Sequence, residues 1–361
     1  MKNIYIILFF LLSVAFFNAC SNSSNTVNED SEIENTSFSD PRYVEGELIV
    51  ILDSIKVLKG AKLKDFNVAH SLPKNQRPTL LLWSSQIIDR KTQKDVKTLD
   101  CSPKPTETFI DSLDGNKISF WNLSDSVLTN SKIIIKRKFS YITYDYKPRI
   151  NKKLVEEKLQ SIPKKIKFFY TKDEKFLPIG GEIDSLSKVI TSGIKNPVDK
   201  IYAIFKWLRK NLTYVYPPKK RGAIEILHTR EGDCGQYSNL FISLSRSAGI
   251  PARQQSGFNF IPDNTGYHAW SEVYFPIYGW VPVDATRKDG FCHLDNKRLI
   301  ASVGMNIPLR FAPKWTSNVT NEIIDGKADF MQLITIVKSG MKVNIRTERN
   351  ILKSELLDET K

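Results

Sequence analysis

The segment Glu231-Gly232-Asp233-Cys234-Gly235 puts a cysteine where nucleophilic chemistry has local support. Asp233 is a strong helix cap, so Cys234 falls in a first helical turn, where unpaired N–H groups and the helix dipole favour negative charge. Such a position lowers a thiol's pKa and enlarges the thiolate fraction, which is the attacking species. The same N–H groups can then hold the oxyanion of a tetrahedral intermediate. Gly232 and Gly235 would let a substrate backbone approach. The competing reading is a buried structural cysteine. A helix-start cysteine between glycines favours the reactive one.

A thiolate needs a base, and the chain holds four histidines. His268 opens a strand-like run, His268-Ala269-Trp270-Ser271-Glu272-Val273. His70 falls in an N-terminal β region and His293 in a loop beside Cys292. His228, shortly before the cysteine, is the rival. Asp284 closes Trp280-Val281-Pro282-Val283-Asp284. If the two runs are antiparallel neighbours, its carboxylate can orient the imidazole and stabilise its charged form. For a second oxyanion donor the candidates are Tyr214, Tyr216 and His228. His293, Cys292 and Asp295 make a weak ligand grouping, so neither metal nor cofactor is expected.

These positions sit in recurring local contexts. Gly-Asp-Cys is followed by Ala248-Gly249-Ile250-Pro251-Ala252-Arg253, then by His-Ala-Trp-x-Glu-Val and Trp-x-Pro-x-Asp-x-Thr. In that order the block resembles the transglutaminase-like domain family, over roughly residues 190–290. Trp207 to Leu212 and Tyr214 also resemble the family's approach to its cysteine. The resemblance implies an α+β fold with a papain-like transglutaminase core, in which a cysteine helix packs on an antiparallel sheet. It carries over Cys234 as nucleophile, His268 as base and acid, and Asp284 as orienting group. Arg253, Trp270 and Glu272 match positions that are mainly structural. Relatives of this fold cross-link glutamine to lysine, hydrolyse amides, or act as inactive binding modules. Hydrolysis of a peptide-type amide through a thioester is the leading expectation, with protein or cell-wall peptide as substrate, and transglutamination is the second.

The elements that must position this block divide by pattern. Residues 42–150 carry strand signals: the apolar runs Leu48–Leu52 and Leu80–Trp83, a hairpin signal at Asp114-Gly115, and the β-branched and aromatic run Ile133–Tyr146. A small antiparallel β domain, of sandwich type, is expected there. Residues 151–295 turn helical before three further strands. Asn196-Pro197 caps one helix, and Asp233 to Gly249 bounds the next. Residues 296–361 form C-terminal strands and a tail, with a hairpin signal around Ser339-Gly340.

Residues 1–20 run from Met1-Lys2-Asn3 through an apolar stretch to Asn18-Ala19-Cys20. This describes an export signal, and Cys20 resembles the lipidated cysteine of a bacterial lipoprotein. Residues 21–41 hold five acidic residues, no basic ones and almost nothing apolar, the composition of a flexible tether. A membrane-anchored, periplasm-facing protein of the cell envelope is expected. The whole chain has formal net charge +14, which favours anionic partners. Export argues against nucleic acid, and plain solvation of a lysine-rich surface is the simpler reading. Beyond Cys20 three cysteines remain. Cys101 and Cys292 could pair with each other, leaving Cys234 free.

Overall fold

The computed structural model describes residues 37–57, 78–312, 315–317, 322–324 and 326–358. Cys20, the apolar N-terminus and His70 lie outside the described residues. In the first sheet, β1 (Phe38–Val57) pairs antiparallel with β6 (Ile133–Tyr146) on one side and with β18 (Met341–Leu356) on the other. With β3 (Gln93–Ser102) the order is β18-β1-β6-β3. A second sheet runs β17 (Thr335–Ser339), β2 (Thr79–Ser85), β5 (Lys117–Asn122) and β4 (Glu107–Ile110). Their inward residues, among them Leu48, Leu82, Trp121, Phe139 and Ile336, share one core. This is the expected antiparallel β region, and β4 and β5 form the hairpin read at Asp114-Gly115.

The third sheet, β11 (Gly279–Val283), β10 (Tyr267–Phe275), β9 (Ala252–Asn259) and β12 (Arg298–Val303), is covered on both faces. On one face Ala252, Val273, Phe275 and Val281 pack against helices α4 (Gly181–Ile190), α5 (Pro197–Asn211), α6 (Ala223–Thr229) and α7 (Cys234–Ser247). On the other, Phe258 and Leu299 join the core of the sandwich. Double burial explains why β10 reads as a near-continuous buried run rather than an alternating one. Short helices α1 (Ser126–Thr129), α2 (Lys152–Glu157) and α3 (Lys164–Tyr170) lie earlier in the chain. The short strands β7 (Thr213–Tyr214) and β8 (Glu231–Gly232) pair in parallel. Four more, β13 (Ile307–Pro308), β14 (Trp315–Ser317), β15 (Glu322–Ile324) and β16 (Lys327–Ala328), make a small separate sheet.

Strands cross two of the expected limits. Strand β1 begins at Phe38, inside the expected tether, because the Phe38 ring packs on Tyr144 and Tyr146. Strand β12 follows residue 295 yet completes the third sheet by pairing with β9. The expected hairpin at Ser339-Gly340 is a corner instead. Gly340, with φ of 72°, passes the chain from one sheet to the other, where β17 pairs with β2 and β18 with β1. Ile336 and Val343 both bury in the core between those sheets, which a simple hairpin would not achieve. Cys101, Cys234 and Cys292 are all free thiols, so no Cys101–Cys292 bridge forms.

Candidate active site

Helix α7 is buried along almost its whole length, and Ser238, Ser243 and Ser245 keep it slim enough to run through the core. Asp233 caps it as its sequence suggests, accepting a hydrogen bond from the Gln236 N–H at 3.0 Å. Cys234 is therefore the first helical residue, with a backbone N–H that has no partner inside the helix. Its side chain is buried but borders a cavity of about 360 Å³.

Antiparallel pairing of β10 and β11 sets Ser271 opposite Val283. That register brings Asp284, just past the end of β11, beside His268. The imidazole Nε2 lies 2.7 Å from the Asp284 carboxylate, which leaves Nδ1 for the thiol. Burial works against a charged imidazole here. The charge and hydrogen bond of Asp284, followed by contact with the Cys234 sulfur, nevertheless raise His268 to about 9. Asp284 is fully enclosed, which pushes its carboxyl upward. The His268 charge and hydrogen bond, then the Thr286 hydroxyl, win and hold it below the usual carboxylate range. Thr286 donates both its N–H (3.1 Å) and its hydroxyl (2.6 Å) to the second carboxylate oxygen. Gly290 completes this turn by accepting the Asp284 N–H at 2.8 Å. A Cβ at that position would stand 2.1 Å from the Asp284 carbonyl oxygen.

The His268 shift has a consequence for stability. Its folded value lies above the unbound value of 6.5, so the charged pair stabilises fully below about pH 6.5 and fades as pH rises through about 9. A shift of this size is worth up to ~3 kcal/mol. Urea unfolding of wild type and His268→Gln should show a stability gap that narrows by that order between about pH 6 and about pH 10. A gap independent of pH would mean that the ion pair is absent.

The three candidate oxyanion residues separate. The parallel pairing of Tyr214 with Gly232 sets Tyr214 beside Cys234 on the cavity wall. Burial, then the nearby Cys234 and Asp233, push this phenol upward. Tyr216 lines the mouth of the cavity and is 71% exposed. His228 faces away on α6, in an exposed hydrogen bond with Glu182 at 2.8 Å. The two glycines also part company. Gly235 lines the cavity, whereas Gly232 is packed under Ile226 and Gln236, each 2.6 Å from where a Cβ would be.

Sequence reasoning passed over several residues that line the cavity. Asn239 and Gln254 are 5% and 2% exposed, and each has a side-chain carbonyl oxygen with no donor among the described residues. A signal existed for the second: Gln254-Gln255-Ser256 is a polar run within an otherwise buried strand. Gln332, which holds the His268 carbonyl at 3.0 Å, comes from the C-terminal segment and carried no signal. Arg221 and Arg349 add positive charge to the rim. A second depression, of about 430 Å³, lies on the His268 and Thr286 side, and Tyr214 borders both.

Known proteins agree with this architecture. Residues 184–285 match the family profile described as Transglutaminase-like superfamily. The uncharacterized protein YebA of Bacillus subtilis is 29% identical over 127 residues, covering 29% of this chain and 17% of YebA. A peptide-N(4)-(N-acetyl-beta-glucosaminyl)asparagine amidase of Eremothecium gossypii is 38% identical over 72 residues, 20% of this chain and 19% of that protein. The matched stretches thus span under a fifth of either relative. A crystal structure of a candidate cysteine protease from Cytophaga hutchinsonii shares the fold. Its TM-score is 0.58 at 17% identity, over 88% of this chain and 92% of that one. The chain therefore carries a domain of the transglutaminase-like superfamily, spanning residues 184–285 and containing Cys234, His268 and Asp284.

Proposed function

We propose that this protein is a cysteine-dependent hydrolase of peptide-type amide bonds. The observation that carries the reading is the alignment of Cys234, His268 and Asp284 at the junction of two open depressions. The Cys234 sulfur attacks the amide carbonyl as the thiolate, its proton already held by the His268 imidazolium. The oxyanion forms beside the Cys234 N–H. Collapse breaks the C–N bond, His268 returns the proton to the leaving amine, and a thioester remains on Cys234. Water, deprotonated by the same imidazole, then releases the acid and the free thiol. Asp284 keeps Nε2 occupied throughout, so that Nδ1 does the proton transfer.

The two depressions suit the two halves of such a substrate. The acyl part would lie along the wall holding Cys234, and the leaving amine would lie on the His268 side, where it receives its proton. The similar proteins named above as an amidase and a candidate cysteine protease favour amide hydrolysis over cross-linking. Profiling stem peptides of the cell wall, denatured proteins, and glutamine donors with amine acceptors would decide it. Acid release without amine incorporation supports hydrolysis, and the reverse supports acyl transfer.

Tyr214 is the second oxyanion donor in this scheme, because it stands beside Cys234 on the cavity wall. Tyr214→Phe should slow the chemical step by about a hundredfold at saturating substrate. Tyr216→Phe and His228→Ala should turn over like wild type. Equal rates for all three variants would leave the second donor to a backbone group.

The reading also places the enzyme outside the cytoplasm, held to the membrane by a lipid on Cys20. No described helix is long and apolar enough to cross a membrane. Cys20→Ser should move the protein out of the detergent phase. A membrane fraction unchanged by that substitution would remove the lipid from the reading.

A further inference from the structure

The inward positions of β6 alternate as Ile135, Arg137, Phe139 and Tyr141, and all four are buried. Three of them suit the centre of a β sandwich. Arg137 does not. Its Nη1 donates to the Ser85 carbonyl at 2.8 Å, while Nη2 is buried with no partner among the described residues. The buried Ser85 hydroxyl is likewise unpartnered. Among the described residues no carboxylate forms an ion pair with this guanidinium.

Arg137 instead lines a cavity of about 210 Å³ between the two sheets. Leu48, Ile87 and Phe139 supply its apolar surface, and Lys104 and Lys138 stand at its rim. An isolated buried charge is among the costliest features a core can hold. Burial does pull the guanidinium down, to about 10, but this leaves it protonated at neutral pH. Water in the cavity could satisfy the N–H without neutralising the charge. A carboxylate would do both, through a charge-assisted hydrogen bond of the kind that arginine makes best.

We propose that the β sandwich is itself a binding module, in which Arg137 captures the carboxylate of a small amphipathic ligand whose apolar body packs on Leu48, Ile87 and Phe139. The two lysines at the rim draw the anion in. The cavity is smaller than a typical drug-sized pocket, so the ligand is a compact one. A free organic acid and the C-terminal residue of a peptide both present that chemistry. The inference is independent of the cysteine site, since none of these residues belongs to it.

The test uses the full chain and two probes, 3-phenylpropionate and an acetylated dipeptide ending in phenylalanine, the latter with its amide as control. Thermal shift and calorimetry should show saturable binding by at least one acid, and the amide should not bind. Binding by 3-phenylpropionate alone identifies a free acid, and binding by the dipeptide identifies a peptide terminus. Arg137→Met should fold, because replacing an uncompensated buried charge by an apolar residue is often neutral or stabilising. It should lose at least about tenfold in affinity. If that variant does not fold, Lys104→Ala with Lys138→Ala should weaken binding severalfold and make it less sensitive to salt. The proposal is overturned if neither acid saturates at millimolar concentration. It is also overturned if acid and amide bind alike, or if the Arg137 variant, or failing that the lysine variant, binds as wild type does.

Discussion

Cys234→Ala is expected to abolish turnover on any amide that the wild-type protein cleaves, while leaving the fold intact. No other residue in the cavity wall offers a nucleophile to the carbonyl that a substrate would present there, so the thioester cannot form. Helix α7 keeps its Asp233 cap and its buried face whichever side chain occupies its first position, so the unfolding midpoint should hardly move. His268→Ala should lose nearly as much activity, because the thiol proton then has no acceptor. Asp284→Asn should lose less, because an amide can still orient the ring although it cannot stabilise its charge. The three losses should not add, since they dismantle one unit. Retention of full turnover by Cys234→Ala would refute the mechanism outright.

Much of this arrangement was legible because it is local. The cap at Asp233 and the proline at the first position of α5 are written within a few residues and appear as expected. The register that joins His268 to Asp284 was also within reach. A short turn between two strands leaves antiparallel pairing as the simple solution, and β10 and β11 adopt it. The contribution of Thr286 sat within the quoted motif. Its reason, two hydrogen bonds to one carboxylate oxygen, becomes plain only from the fold.

The features that escaped are those made by distant pairings. Strand β18 closes the sheet begun by β1 nearly three hundred residues earlier, and no local pattern distinguishes that partner from a neighbouring hairpin arm. Gly232 reads as an open glycine near a nucleophile, yet it is glycine because Ile226 and Gln236 occupy the space. Asn239 is a polar residue on a helix with no exposed face to betray it. Tyr214 could not be preferred over Tyr216 before the parallel pairing of β7 with β8 was known, because tyrosines two apart look alike in sequence.

Arg253 illustrates the same limit with the largest structural effect expected. Sequence marks it as a motif position of structural kind, and the reason lies in the opposing part of the fold. From β9 it donates to Glu272 on β10 at 2.9 Å and to Asp114, beyond the end of β4, at 3.0 Å. Its guanidinium also lies over the Trp280 ring, 4.0 Å from the centroid, with Tyr170 nearby. The Tyr170 hydroxyl donates to the same Asp114 oxygen at 2.7 Å. One cation thus compensates two enclosed carboxylates and fastens the sandwich to the sheet that carries His268. Burial, with the Asp111 charge behind it, raises the Asp114 carboxyl, and Arg253 is the first group opposing that. Arg253→Met would leave two buried negative charges facing each other, and should cost about 3–5 kcal/mol in urea unfolding. The sign of the pH response follows. Without Arg253 the Asp114 carboxyl favours its neutral form still more, so acidification should relieve the variant and narrow its gap to wild type toward about pH 4. Adding Glu272→Gln and Asp114→Asn to the variant should recover more than half of the loss, because the charges responsible would be gone. If the triple variant were no more stable than Arg253→Met, packing on Trp280 rather than charge would be what Arg253 supplies.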